Sequence, residues 1–185
     1  MARPRDPAND SSILDAALDL LIERGAADAS IEAIARRAGV AKLTVYRRWQ
    51  SKEDLLMAAL EHARSTDTDT PTTARSIDEL VTFIAELLSR PRFRALMARV
   101  IGASVDYPKL VNAYTTRYLQ PRLTALTDTV QQAIDDGRFP PDTDPDAIQD
   151  ILSSSIGFVL LRGDDVTAAH IEHRLRTLLR QMGYR

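Results

Sequence analysis

Apolar residues in this chain recur at spacings of three and four almost from end to end, and nowhere do they alternate between hairpin turns. A helix turns once in 3.6 residues, so this period gathers the apolar side chains on one face, whereas a half-buried strand needs a period of two. Ile13, Ala17, Leu20 and Leu21 set the pattern near the start, and Ile171, Leu175, Leu178, Leu179 and Met182 repeat it near the end. An all-α fold follows. The hydrophobic fraction of 44% is enough for a packed core, and the seven glycines fall mostly between the periodic stretches.

Start and stop signals divide the chain into about nine helices. The first spans about Asp10 to Arg24 and stops at Gly25, which tolerates the left-handed cap. The second opens at Ser30, whose hydroxyl can cap the first turn, and ends before Gly39. The third covers about Lys42 to Trp49. The fourth starts at Ser51, where Ser51-Lys52-Glu53-Asp54 resembles a capping box, and continues through Leu60. Residues 65–76, STDTDTPTTARS, are too polar to bury and read as a linker. The fifth helix opens at Ser76 and the sixth follows Pro91 to about Val105. The seventh starts after Pro108. Its stripe of Val111, Tyr114, Tyr118, Leu119, Leu123, Leu126, Val130 and Ile134 crosses Pro121, which predicts one kinked helix. Asp144-Pro145 opens the eighth, to about Leu161, and the ninth runs from about Thr167 to Met182. Residues 1–64 thus form an N-terminal domain of short helices, and residues 65–185 a larger domain of longer ones.

Several function classes are disfavoured. There is no cysteine, so thiolate chemistry, thiolate zinc sites and disulfides are excluded. The N-terminus lacks an apolar signal core, and no apolar run approaches the ~20 residues that span a bilayer. The expectation is a soluble, cytoplasmic protein that does not engage a membrane. His170 and His173 share a face of the ninth helix, but two histidines are too few for a metal site, and His62 lies far off in sequence. No catalytic set and no phosphate loop stands out. No metal, cofactor or enzymatic activity is expected.

Residues 31–50 read as a helix, a tight turn and a second helix. Ala35 allows close approach, Gly39 supplies the positive φ of the turn, and Val40 and Val45 lock the pair. This is the helix-turn-helix arrangement, whose second helix enters the major groove of duplex DNA. At ~100° per residue, placing Val45 inward brings Trp49 inward with it and turns Leu43 and Arg47 outward, flanked by Thr44 and Tyr46. Lys42 and Arg48 lie nearer the core side, with stems long enough to reach outward. Lys42, Leu43, Thr44 and Arg47 are candidates for base edges, and Tyr46, Arg48 and Lys52 for phosphates. The chain is slightly acidic, at net charge −2, yet six basic side chains and no acidic one lie between Arg36 and Lys52. A phosphate-facing surface explains that segregation; a merely solvated basic face is the rival explanation. Arg3 and Arg5 extend the same logic as an arm that could follow DNA.

The run IARRAGVAKLTVYRRWQSKEDLL, residues 34–56, resembles the N-terminal signature of the TetR-like transcriptional repressors. The likeness spans about Ile13 to Leu60, and the turn DDGRFPPDTDPDAIQDIL before the eighth helix is similar too. The resemblance implies a homodimer that binds a palindromic operator in double-stranded DNA and is released by a small-molecule effector. It places Ser30, Tyr46 and Lys52 at phosphates and Leu43 and Thr44 at bases. Ala41 departs from the family's frequent serine, which removes a capping hydroxyl, and Leu43 stands where glycine is frequent.

The resemblance also places the eighth and ninth helices at the dimer interface. Independently, Ile148, Ile151, Leu152, Ile156, Val159 and Leu160 make the eighth helix too broadly apolar for one wet face. A central core helix is the rival explanation. The candidate interface set is Ile148, Ile151, Leu152, Ser155, Val159, Ile171, Leu175 and Leu178. For the effector, Phe83, Leu87, Met97, Val100, Ile101, Tyr114 and Tyr118 are candidate walls, with Arg117, Arg99 or Asp106 as polar partners; ordinary core packing explains the apolar ones equally well. The leading expectation is an effector-released repressor. The alternative is a helical dimeric adaptor whose DNA binding is controlled by a protein partner.

Overall fold

The structure, a computed structural model, describes residues 7–66, 76–162 and 166–185. The proposed arm at Arg3 and Arg5 and most of the expected linker lie outside these. The described residues form nine helices: α1 (Pro7–Asp28), α2 (Ile31–Arg37), α3 (Lys42–Tyr46), α4 (Lys52–Thr66), α5 (Ile77–Ser89), α6 (Pro91–Gly102), α7, α8 (Pro145–Leu161) and α9 (Ala168–Gln181). Helix α7 is continuous but composite, with α-helical stretches Pro108–Tyr114 and Gln120–Asp135 joined by a π-helical turn, Thr115–Leu119.

The expected caps are in place. Ser30 Oγ accepts from the Ala33 amide at 3.2 Å, Ser51 Oγ from Asp54 at 3.0 Å, and Ser76 Oγ from Glu79 at 3.2 Å. The Asp144 carboxylate takes the Asp146 and Ala147 amides at 2.9 and 3.4 Å. Each cap stabilises its helix by about 1 kcal/mol. Gly25, at φ 82°, interrupts α1 where the stop was expected.

Three boundaries differ from expectation. Helix α3 stops at Tyr46 and buries only Val45; the chain then tightens, with Arg48 and Trp49 both donating to the Val45 carbonyl. Helix α6 stops at Gly102, and Val105 beyond it is 86% exposed, with no partner surface to extend the helix. Within α7, Pro121 has no N–H for the Arg117 carbonyl, and its ring would clash there; the π turn is the accommodation. The Arg122 guanidinium supplies a donor to the Tyr118 carbonyl at 2.7 Å. The turn's extra residue throws Leu119 off the expected stripe and leaves it 40% exposed.

By packing, the chain divides into two units. The first combines α1–α4 with residues 99–115. Helix α1 packs on α2 and α4, α2 on α3, and the first stretch of α7 on α4. Its interior holds Ile13, Leu20, Leu21, Ile34, Val45, Leu55, Leu56 and Leu110. Sequence composition placed a boundary at 64; packing adds residues 99–115 to the N-terminal side.

The second unit combines residues 76–98 with those after 115. Helix α5 packs on α9, and the second stretch of α7 on α8. Ile77, Leu88, Val130, Ile171, Leu175 and Leu179 fill its centre. Arg94, 9% exposed, donates to the Leu88 and Ser89 carbonyls at 2.7 and 2.9 Å and so closes the end of α5. Asp78 ties the start of α5 to the chain end: it pairs with Arg176, accepts from the Tyr184 hydroxyl at 3.1 Å, and lies 3.5 Å from Arg138. The hydrogen bond from Arg176 holds the Asp78 carboxyl below its ordinary 3.8.

A depressed carboxyl pKa stabilises the fold above the unfolded value, and the gain is lost as pH falls through the folded value. Acid unfolding should therefore draw on Asp78 only below pH 3.8. The side chain is 44% exposed, so screening limits its worth. Asp78→Asn is expected to cost up to about 1 kcal/mol at pH 7, read as a fall in Tm of roughly 2–4 °C. The difference from wild type should shrink in scans taken below that pH.

Candidate nucleic-acid interface

The first unit holds the helix-turn-helix in the form expected. Gly39 turns the chain at φ 67° between α2 and α3, and the Val40 amide closes the turn on the Ala35 carbonyl at 3.0 Å. Ala35 and Val45 are buried against each other's helices, at 3% and 0% exposure. On the opposite face Leu43 is 60% exposed and Tyr46 45%, and Arg47 is exposed beside them. Thr44 and Trp49 are half-buried.

The ionic partners were not visible in the sequence. The basic stretch itself lacks acid, but carboxylates reach it from α1 and α2. Lys42 pairs with Glu32, and its ammonium lies 5.4 Å from the Tyr46 ring. Their hydrogen bond raises the Lys42 pKa and lowers that of Glu32. Arg37 makes a two-pronged bond to Glu23 at 2.9 and 2.7 Å. Among the described residues, the Arg36 and Arg47 guanidiniums have no such partner.

Two expected phosphate contacts have partners within the first unit. Arg48 does not reach outward: its side chain is 14% exposed, paired with Asp10 of α1, and donates to the Thr44 carbonyl at 3.0 Å. Lys52 likewise turns inward. Its ammonium donates to the Ala26 carbonyl at 2.8 Å, the Ala27 carbonyl at 3.3 Å and the Tyr107 hydroxyl at 2.8 Å. Ser30, also expected at a phosphate, uses its hydroxyl as the α2 cap. Local spacing carried no signal for Asp10 or Tyr107, which lie 38 and 55 residues from their partners.

The candidate dimer residues lie mostly inside the second unit. Ile148, Leu152, Ser155, Val159, Ile171 and Leu175 are all buried within the second unit, between 0% and 7% exposed, and belong to its core. Leu178 is half-buried. Only Ile151, 44% exposed, faces out. The outward face of α8 is a different row, Ala147, Ile151, Ser154, Phe158 and Leu161, all exposed and spaced four, three, four and three. Phe158 and Leu161 are 51% and 77% exposed, and the Arg174 guanidinium lies 5.2 Å from the Phe158 ring.

The candidate effector residues are divided. Val100, Ile101 and Tyr114 fall in the first unit; Phe83, Leu87, Met97, Arg117 and Tyr118 fall in the second. Val100 and Met97 are buried packing residues, at 2% and 8%, and Ile101 is 49% exposed. Of the eight, only Phe83 lines the open groove of about 440 Å³ in the second unit, with Asp78, Glu79, Thr82, Glu86 and Arg176. His62 sits 3.3 Å from Asp15. No helix among the described residues is long and apolar enough to cross a membrane.

Residues 13–59 match the model for bacterial regulatory proteins of the tetR family, and residues 67–178 the tetracyclin repressor-like C-terminal domain. The uncharacterized HTH-type transcriptional regulator YdeS of Bacillus subtilis is 30% identical over 91% of this chain and 87% of its own length. A Mycobacterium tuberculosis regulator of the same type, Rv1556, is 28% identical over 86% and 80%. In fold, a regulator from Saccharomonospora viridis solved with choline superposes with a TM-score of 0.77 at 22% identity, over 97% of this chain and 100% of that one.

Proposed function

Because this chain belongs to the TetR family of bacterial transcriptional regulators, we propose that it is a cytoplasmic, homodimeric repressor that leaves a palindromic operator when a small molecule binds its second unit. The observation that carries the DNA half is the split face of α3: Val45 sealed at 0% exposure while Leu43 stands 60% exposed beside Arg47. Leu43 suits a thymine methyl, Arg47 a guanine edge, and Thr44 either kind of edge. Tyr46 and the amide end of α2 at Ser30 suit phosphates. Lys42 can join the base readers by exchanging Glu32 for an acceptor on DNA.

The dimer half rests on the outward row of α8. A four–three repeat of Ala147, Ile151, Ser154, Phe158 and Leu161 is the seam of a helix packed on a similar helix. A second copy supplies one, related by a two-fold axis that a palindrome mirrors. The choline held by the Saccharomonospora viridis regulator supports a small organic effector for this fold.

Selection of bound duplexes from a random pool tests the proposal directly, and a palindromic consensus is expected. Against that consensus, Arg47→Ala should lose about 1–3 kcal/mol, or roughly five- to 150-fold, while binding to random DNA changes little. Unchanged discrimination in the variant would remove α3 as the reader.

A further inference from the structure

We infer that Lys52 and Tyr107 are positioning residues of the DNA-reading unit, a paired bolt that fixes the α1–α2 turn, with Lys52 serving the protein's own carbonyls instead of a phosphate. The inference rests on the DNA-binding function proposed above and concerns how the reading surface is held.

An ammonium carries three N–H donors and no acceptor. Lys52 directs them to three acceptors: Ala26 O at 2.8 Å, Ala27 O at 3.3 Å and Tyr107 Oη at 2.8 Å. The Tyr107 ring also lies 4.5 Å from the ammonium, a cation–π distance that adds to its hold. No donor remains for a phosphate oxygen in this arrangement.

The two carbonyls matter because of where they lie. Gly25 breaks α1 at φ 82°, and the following amides of Ala29 and Ser30 turn to the Gly25 and Asp28 carbonyls. Lys52 supplies Ala26 and Ala27 with their donors. Just before the break, Arg99 does the same, with Nε 3.2 Å from the Ile22 carbonyl and a terminal nitrogen 3.1 Å from that of Glu23. Two cations, one from the first turn of α4 and one from α6, therefore close the end of α1, where helix carbonyls concentrate partial negative charge. The closed turn leads within a few residues to Ser30, the cap of α2, and so to α3.

Tyr107 is the outlying member. It lies 55 residues after Lys52, in the 99–115 segment that packs with α1–α4. Its hydroxyl fixes the lysine, and the lysine fixes the turn.

The experiment compares Lys52→Met, which keeps the stem, and Tyr107→Phe, which keeps the ring, with wild type. Affinity for the selected operator is measured across a salt series at a temperature where every protein is fully folded. Amide exchange at Ala29 and Ser30 is measured without DNA. Each phosphate contact contributes close to one unit to the slope of log K against log salt. A role in global stability alone would lower Tm and leave the affinity of the folded protein unchanged.

The bolt predicts an affinity loss of about tenfold for Lys52→Met and a smaller loss for Tyr107→Phe, because hydrogen bonds to a charged group are the strong ones. The salt slope should stay unchanged in both, and Ala29 and Ser30 should exchange faster. A slope lowered by about one in Lys52→Met, with Tyr107→Phe at wild-type affinity, would make Lys52 a phosphate contact and overturn the inference. Unaltered exchange in both variants would overturn it as well. If wild type selects no DNA, the functional proposal falls, and the exchange measurement still decides whether the bolt exists.

Discussion

A chain carrying Ile151→Asp and Phe158→Asp together is expected to sediment as a monomer at micromolar concentration and to lose about a hundredfold or more of its affinity for a palindromic operator. Both side chains are exposed in the single chain, at 44% and 51%, so neither substitution opens the core beneath α8. In the proposed dimer each is covered by a second copy. Burying such side chains is worth about 1.5–3 kcal/mol when complete, and roughly half of that remains to be gained here because each is half-covered already. The two-fold axis presents every change twice. Carboxylates then face carboxylates across the seam, which adds several kcal/mol of repulsion. A monomer holds one half-site at a time, and the avidity lost on unlinking two sites is about 10²–10⁴. Sedimentation and operator titration read the result, with far-UV circular dichroism showing retained helix. A double variant that stays dimeric would move the interface away from α8.

The second large effect is local. Val45→Asp is expected to abolish DNA binding while the second unit keeps its own melting transition. Val45 is the one buried residue of α3, at 0% exposure, and nothing else anchors that helix from its own sequence. A carboxylate there has no partner and costs about 3–5 kcal/mol, of the order of breaking a buried ion pair. The centre of the second unit, from Ile77 to Leu179, does not include α1–α4 and should be unaffected. Val45→Ala removes only two methyl groups and costs about 1–2 kcal/mol; it should bind DNA at low temperature and fail on warming. Calorimetry with one lost and one retained transition checks the prediction. Full operator binding by Val45→Asp would show that α3 needs no anchor.

The contrast between α3 and α8 shows what the sequence could reveal. On α3 the wheel turns Val45 inward and Leu43 and Arg47 outward, and the structure buries Val45 and exposes the other two. The caps at Ser30, Ser51, Ser76 and Asp144 were legible because a cap is local chemistry, decided within four residues. On α8 both faces are apolar. Periodicity identifies two rows but cannot say which goes inside, because that depends on α9 and the second stretch of α7. Of the candidate interface residues on α8, Ile148, Leu152, Ser155 and Val159 are buried in the single chain, whereas Ile151 shares the exposed row with Phe158 and Leu161.

Long-range polar contacts were illegible for a related reason. A lysine at the start of a helix after a serine cap offers itself equally to solvent, to DNA or to distant carbonyls. Only folding brings Tyr107 to Lys52 and Asp10 to Arg48. The candidate effector walls, placed in one domain by sequence, fall in both units, because packing assigns residues 99–115 to the first.

The π turn at Thr115–Leu119 bears on the alignment and redesign of this chain. Such a turn accommodates one more residue than the α-helical course it replaces, so the angular phase of α7 slips there by about 100°. Counting in threes and fours from Leu110 therefore loses step before it reaches Leu126. In a shortened relative, a gap aligned at this turn would restore ordinary helical phase, whereas the same gap elsewhere in α7 would turn a buried row toward water.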